Sequence, residues 1–321
     1  MKKLVIVLLL INSIAFAQSI NKKYFVEEKI SGGSKAVGEF NVVEYSIKTA
    51  DNKLLYKISN KTDYDIPYSG IEVFDDGSSV LINSFYGTLT FFDNSGVKTK
   101  ETKLSETLGF EYERNIRTVV DNNFLLVLFS EDNKEQSTLQ KYNSDGALEK
   151  TIELNQTNIN AVAYSASLNQ IYISSVKWNN NGELSKEISL LNEEGQLLKR
   201  YNANFEKGYF TEDNRFIAFS NKSLLSINSD DLNIAFLNES TKNKLYLDVT
   251  ATNNTIVVAE ANLPKLQNGK WVYENPTILK LNPSGKIIER KSVNAVFTGF
   301  GFRKSGKNIQ FIADGKAISI E

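Results

Sequence analysis

Short, strongly apolar runs recur along this chain, and each of them follows a turn rich in Asn, Asp, Ser or Gly. The runs combine β-branched, aliphatic and aromatic residues, as buried strands do. They span residues 80–82, 124–129, 171–173, 216–219, 255–259 and 309–312. Because Gly and Asn tolerate the backbone conformations of tight turns, the pattern predicts strands joined by hairpins.

A second pattern alternates with the first and consists of a strand, a turn and an amphipathic, charged strand. Its turns lie at residues 93–96, 143–146, 192–195 and 282–285, with weaker versions at 49–52 and 228–231. The two patterns repeat at a spacing of about 45 residues, which is typical of four-stranded β-propeller blades. A helix over residues 184–201 is the alternative there, but Asn192 and Gly195 interrupt it, so strands are favoured.

The hairpins at residues 139–148 and 279–287 resemble those of bacterial six-bladed β-propellers of the TolB-like and NHL-like kind. The resemblance covers about residues 38–321. It implies one all-β domain, a β-propeller of four-stranded antiparallel blades, with six blades preferred and seven as the alternative. Residues 39–59 resemble a third and a fourth strand placed ahead of the first complete repeat. Residues 317–321 also resemble a third strand, so the sequence does not decide which strands complete the last blade. The resemblance implies no particular activity.

The N-terminus has the pattern of a secretory signal peptide. Lys2 and Lys3 precede an apolar run over residues 4–11, and Ala15 and Ala17 fit the small subsites of a signal peptidase. Cleavage after residue 17 is expected, with a short N-terminal anchor as the alternative. The protein is therefore expected to be periplasmic or secreted, without a membrane span after cleavage. Residues 18–37 contain a Ser-Gly-Gly-Ser stretch and read as a linker or N-terminal arm.

Composition removes several kinds of chemistry. The chain has no cysteine and no histidine, which excludes disulfides, thiol catalysis, a Ser-His-Asp triad and imidazole zinc sites. With 37 basic and 38 acidic residues and no basic block, nucleic acid is not an expected partner. The acidic turns at residues 75–78, 143–146 and 228–231 could offer oxygen ligands to calcium, but their spacing is that of ordinary turns. No metal or cofactor is therefore predicted.

The connections between strands predict where binding occurs. In an up-and-down blade, the first-second and third-fourth turns share one end, and these turns are all short. The other end carries long insertions at residues 60–70, 103–115, 130–137, 177–185 and 262–276. Long connections on a rigid scaffold commonly carry function. The predicted binding residues in these insertions are aromatic: Trp178, Trp271, Tyr273, Tyr112, Phe110, Tyr64 and Tyr68.

We therefore expect a non-catalytic binding or scaffold protein that recognises a protein, peptide or glycan through this face. Each aromatic residue packing under its own loop is the structural alternative. A second functional class is a carboxylate-dependent enzyme acting on polysaccharide, either a glycoside hydrolase or a lyase-like enzyme. The acidic residues placed for that role on or near first strands are Glu72, Glu113, Asp248 and Glu206.

Overall fold

The computed structural model describes residues 23–32, 41–49, 51–62, 69–84, 86–104, 116–130, 136–155, 158–178, 184–211, 213–252, 255–267, 269–305, 308–314 and 316–320. Every regular element in these ranges is a strand. The same ranges contain no helix with the length and apolar character needed to cross a bilayer. The predicted signal peptide lies outside the described residues.

The strands form seven antiparallel sheets in chain order, together with one small additional sheet. Sheet 1 contains β1 (Tyr24–Gly32), β2 (Asn41–Thr49) and β3 (Leu54–Thr62). Sheet 2 contains β4 (Ser69–Val73), β5 (Ser79–Asn83), β6 (Thr88–Phe92) and β7 (Lys98–Lys103). Sheet 3 contains β8 (Arg117–Asp121), β9 (Phe124–Ser130), β10 (Ser137–Asn143) and β11 (Leu148–Leu154). Sheet 4 contains β12 (Ile159–Ser165), β13 (Gln170–Trp178), β14 (Leu184–Leu191) and β15 (Leu197–Tyr201).

The remaining sheets continue this order. Sheet 5 contains β16 (Lys207–Phe210), β17 (Arg215–Phe219), β18 (Ser223–Asn228) and β19 (Ile234–Glu239). Sheet 6 begins with β20 (Lys244–Thr252) and β21 (Thr255–Asn262). The inserted strands β22 (Lys265–Gln267) and β23 (Lys270–Glu274) follow, before sheet 6 ends with β24 (Thr277–Leu281) and β25 (Ile287–Ser292). The short strand β26 (Val296–Phe297) precedes sheet 7, which contains β27 (Phe300–Ser305), β28 (Asn308–Ala313) and β29 (Lys316–Ser319).

A shared irregularity identifies equivalent strands in different sheets. The third-fourth hairpins of sheets 2 to 6 each carry a register shift next to their turn, as at Lys141/Tyr142 in sheet 3. The β2–β3 hairpin has the same shift at Ile47/Lys48, so β2 and β3 are a third and a fourth strand, as the sequence predicted. By the same order, β29 is a third strand. Sheets 1 and 7 therefore have three strands each, whereas sheets 2 to 6 have four.

Two local predictions have clear outcomes. Residues 184–201 form β14 and β15, which confirms strands over the helical alternative. Within residues 18–37, which the sequence assigned to a linker or arm, the structure has the strand β1, paired with β2 over its whole length. The Ser-Gly-Gly-Ser stretch made this region resemble a linker. The partly buried residues of the strand, Tyr24 and Val26, precede that stretch in the sequence.

The core lies between consecutive sheets. The first strands β4, β8 and β12 are neighbours, and β12 contacts β16 in turn. On β9, Leu126 packs with residues of sheet 4, whereas Val127 packs with residues of sheet 2. A strand covered on both faces has no solvent-facing side, which explains why the second strands read as continuous apolar runs.

Candidate functional site

The end of the sheets that carries the first-second and third-fourth turns, here the short-turn end, is closely packed. Gly146 of sheet 3 has φ +77, and a Cβ there would lie 2.7 Å from the ring of Phe91 in sheet 2. Gly285 of sheet 6 has φ +78, and a Cβ there would lie 2.4 Å from the ring of Phe236 in sheet 5. These turns need glycine both for the backbone conformation and for contact with the preceding sheet.

The polar side chains of these turns bind their own backbone. Asp76 Oδ1 accepts the N–H of Ser78 at 2.9 Å. Asn143 Oδ1 accepts the N–H of Ala147 at 2.8 Å, and Asn228 Oδ1 accepts the N–H of Asp230 at 3.0 Å. The turn oxygens considered as calcium ligands are thus used in turn formation, the ordinary role of Asn and Asp.

The opposite end, here the long-connection end, carries an additional small sheet. Its strand order is β22-β23-β26, and we call it the accessory sheet. β22 and β23 come from the second-third connection of sheet 6, whereas β26 comes from the connection between sheets 6 and 7. Tyr273 pairs with Phe297 across the two connections. The prediction that these two kinds of connection share one end is therefore confirmed here.

This insertion and β26 carry exposed apolar side chains, as the outer strands of the other sheets also do. Trp271 is 43% exposed and pairs in register with Leu266, which is 62% exposed. Leu263 and Val296 are also exposed. Solvent-facing groups of this kind, next to charged residues such as Lys270, are typical of interaction surfaces.

Tyr273 has a different environment from Trp271. Its ring lies 5.8 Å from the ring of Phe297 and 5.1 Å from the ring of Phe300, measured between centroids. Phe297 is fully buried in the core between sheets 6 and 7. Burial raises the pKa of the Tyr273 hydroxyl. Tyr273 thus anchors the accessory sheet, and its contribution to binding stays a prediction.

The structure places the other predicted aromatic residues only in part. Trp178 is the last residue of β13, in register with Leu184 of β14. Tyr64, Tyr68, Phe110 and Tyr112 lie outside the described residues. The structure therefore brings Trp271 and Tyr273 together on one strand, and the grouping of the full set stays a prediction.

Asp248, one of the acidic residues considered for catalysis, connects its own first strand, β20, with the first strands β16 and β27. It lies on β20 beside a register shift at residue 247 and is 7% exposed. Its Oδ2 accepts the N–H of Phe302 on β27 at 2.8 Å. Its Oδ1 lies 3.6 Å from Nζ of Lys207 on β16. Burial, followed by the charge of Asp248, raises the pKa of Tyr209 well above its ordinary value.

The other acidic positions are less connected to this group. Glu72 is buried on β4, and burial raises the pKa of Glu206, which precedes β16. Glu113 lies outside the described residues. Asp248 forms an ion pair with Lys207, an arrangement that suits a structural link between first strands.

Two cationic residues of the long-connection end were not identified from the sequence. Arg117 at the start of β8 donates from Nε to the carbonyl of Asn160 at 2.7 Å, and Asn160 lies in a β-bulge of β12. Lys207 at the start of β16 pairs with Asp248. Both residues lie at the start of a strand, which the sequence pattern could have indicated. Their partners could not be predicted, because they belong to neighbouring sheets and lie at bulges that the sequence does not mark.

Comparison with known proteins shows similarity only at the level of the fold. No protein-family model matches the sequence, and no curated protein matches it. The C-terminal WD40 domain of Sif2 is 10% identical, with 93% of this chain and 82% of that chain covered and a TM-score of 0.56. Apo AztD from Citrobacter koseri is 10% identical, with 91% and 85% covered and a TM-score of 0.52.

A third solved structure extends this likeness to a much larger protein. Raptor from Chaetomium thermophilum is 9% identical, with 87% of this chain but only 26% of that chain covered and a TM-score of 0.55. Together with the repeated antiparallel sheets, these matches decide the architecture. The fold is a β-propeller. The propeller resemblance and the all-β fold class predicted from the hairpins are confirmed, and identities this low carry no inference about activity.

Proposed function

We propose that this propeller is an exported, non-catalytic binding protein of the periplasm or cell exterior. It recognises a protein, peptide or glycan through its long-connection end. The observation that supports this proposal best is the accessory sheet, which carries the exposed side chains of Trp271 and Leu266 on a paired strand that Tyr273 anchors. Aromatic residues are enriched at the centres of protein interfaces, and preorganised aromatic groups lose little conformational entropy on binding.

The anchoring of this surface supports a binding role over a loose loop. Phe297 and Phe300 hold Tyr273, and the next alternate residue on β23 is Trp271. Because alternate residues of a strand face the same side, the half-buried Tyr273 and the exposed Trp271 lie on one face. The sheet therefore presents Trp271 on the same face as the ring of Tyr273, which anchors the strand.

Affinity capture from the envelope of the native host tests the proposal. The mature chain is immobilised, bound components are identified, and their affinity is measured for the wild type, Trp271→Ala and Leu266→Ala. We expect either change to weaken binding by at least about 2 kcal/mol, the scale of an interface hot spot. The matched control is Leu148→Ala, which removes an exposed aliphatic residue at the start of an outer strand, next to the short-turn end.

The control also defines the contrary result. If Leu148→Ala lost binding while Trp271→Ala and Leu266→Ala kept it, the functional surface would lie at the short-turn end. If all three variants bound like the wild type, the accessory sheet would not be the recognition surface.

A further inference from the structure

Apolar packing joins the sheets of this propeller in chain order. Each core cluster of the described residues contains side chains of consecutive sheets, and the series runs without a break from sheet 1 to sheet 7. Within that part of the chain, no cluster contains residues of both sheet 7 and sheet 1, and neither sheet contributes a strand to the other. Among these clusters, sheet 1 therefore shares a core only with sheet 2.

One equivalent position shows how sheet 1 differs from the sheets that follow it. In sheets 2 to 6, the third-strand residue just after the register shift belongs to a core cluster that includes the preceding sheet. Sheet 1 has Lys48 at this position. A charged side chain thus lies where each four-stranded sheet has an apolar or aromatic one. The residues in sheets 2 to 6 are Phe92, Tyr142, Leu191, Ile227 and Leu281.

The face of sheet 1 that carries Lys48 is charged. On β2, Ile47 belongs to the core shared with sheet 2, so Glu44 and Lys48 lie on the opposite face. Nζ of Lys57 on β3 lies 2.7 Å from Oε1 of Glu44, and Lys48 forms an ion pair with Glu27 on β1. Ion pairs between partly exposed side chains contribute much less to stability than a buried apolar contact does. This face is therefore suited to water rather than to burial against another sheet.

Sheet 7 also shares a core with one other sheet, but further contacts connect the two. Asp248 Oδ2 of sheet 6 accepts the N–H of Phe302 at 2.8 Å, and β23 pairs with β26 in front of sheet 7. In sheet 1, the Tyr56 hydroxyl donates to the carbonyl of Gly77 in the β4–β5 turn at 2.8 Å. This hydrogen bond is a contact between sheets 1 and 2 that can be removed without changing the packing.

We propose that sheet 1 is a releasable part of the propeller. It detaches from sheet 2 and unfolds while sheets 2 to 7 keep their structure, because it shares one apolar core where each of sheets 2 to 6 shares two. Release uncovers Ile71, Val73 and Leu81, the buried side chains that sheet 2 contributes to the shared core. This conformational change is independent of the binding role proposed for the accessory sheet.

Amide hydrogen exchange of the purified protein at neutral pH, followed by mass spectrometry of its peptides, tests this proposal. Strand β2 is the informative segment, because it pairs with β1 and β3 and cannot lose its hydrogen bonds by fraying of an edge. The matched control is β10, the third strand of sheet 3, which also pairs on both sides. We expect the amides of β2 to exchange at least about 100-fold faster than those of β10.

A conservative substitution distinguishes release of sheet 1 from unfolding of the whole domain. Tyr56→Phe removes the hydrogen bond to Gly77 and should speed exchange in β2 about three- to tenfold while leaving β10 unchanged. Tyr201→Phe removes a comparable hydrogen bond, from sheet 4 to the carbonyl of Leu232 in sheet 5, and should leave β2 unchanged. The proposal is overturned if β2 of the wild type is as well protected as β10, or if Tyr56→Phe speeds exchange in both strands by the same factor.

Discussion

The two ends of this propeller are built from different kinds of contact. At the short-turn end, the turn glycines of one sheet pack against large side chains of the preceding sheet, as Gly146 does against Phe91. At the long-connection end, two connections pair with each other through Tyr273 and Phe297. The turns of the short-turn end are therefore packed into the repeated sheets of the propeller. The long-connection end instead carries an additional local sheet.

This difference determines where the chain can vary. A turn that fills a defined space between two sheets cannot lengthen without disturbing both of them. A connection that packs mainly on another connection can carry exposed groups such as Trp271 while Tyr273 and Phe297 anchor it. We infer that the asymmetry has a packing cause at the short-turn end and allows function at the other.

The largest expected effect comes from the same substitution made at both ends. Gly285→Ala combines a positive φ of +78 with a Cβ 2.4 Å from Phe236, so it should lower the free energy of unfolding by about 3 to 4 kcal/mol. Gly269→Ala in the accessory sheet has a similar φ of +75, but its Cβ would meet nothing within 4 Å. It should cost only about 1 kcal/mol. Urea unfolding measures both.

The difference between these two variants is the informative quantity. Both carry the strain of a positive φ, so the excess loss in Gly285→Ala isolates the contact between sheets 5 and 6. Equal losses would show that the turn glycines are kept for backbone conformation alone and that the short-turn end is not held by these contacts.

A smaller effect is expected within the accessory sheet. Tyr273→Ala removes a half-buried ring that contacts Phe297 and Phe300, and should lower the free energy of unfolding by about 2 to 3 kcal/mol. Trp271→Ala removes an exposed ring and should change it by less than about 0.5 kcal/mol. Thermal and urea unfolding of the two variants measure the contrast. A stable Tyr273→Ala variant would mean that the accessory sheet is held without this aromatic cluster.

The sequence predicted the repeated parts of the fold better than the accessory sheet. Hairpin turns are local, so Asn143 and Gly146 indicate their conformations directly, and β9 reads as buried because both of its faces are covered. The pairing of β23 with β26 involves two residues on each strand in separate connections, and no local pattern marks it.

Two glutamates should respond to pH in opposite directions. Glu193 lies in a short turn, where burial raises its pKa but hydrogen bonds from Tyr164 and Lys141 outweigh burial and leave the pKa lowered. Its contribution to stability is therefore present above its unfolded pKa and is lost as the pH falls. Glu206 lies at the long-connection end, where burial raises its pKa, so its ionisation opposes folding at neutral pH.

Glutamine substitution at each position tests this contrast. At pH 7, Glu193→Gln should lower the free energy of unfolding and Glu206→Gln should raise it, each by about 1 kcal/mol or less because both groups are partly exposed. Urea unfolding between pH 4 and 8 measures the two pH profiles. The same sign for both variants at neutral pH would show that the local environments do not differ as described.

The smallest effect is expected from chelation, which asks whether the acidic turns of the short-turn end need a metal. Asp76 Oδ1 accepts the backbone N–H of Ser78, and Asn143 Oδ1 accepts that of Ala147, so the turns close with their own donors. EDTA should therefore shift the melting temperature of the protein by no more than about one degree, since a ligand that stabilises the fold must bind it. A matched scan with added calcium serves as the control. A drop of many degrees in EDTA that calcium reverses would mean that the turn oxygens bind metal in preference to backbone donors, and the short-turn end would then owe its order to an ion as well as to packing between sheets.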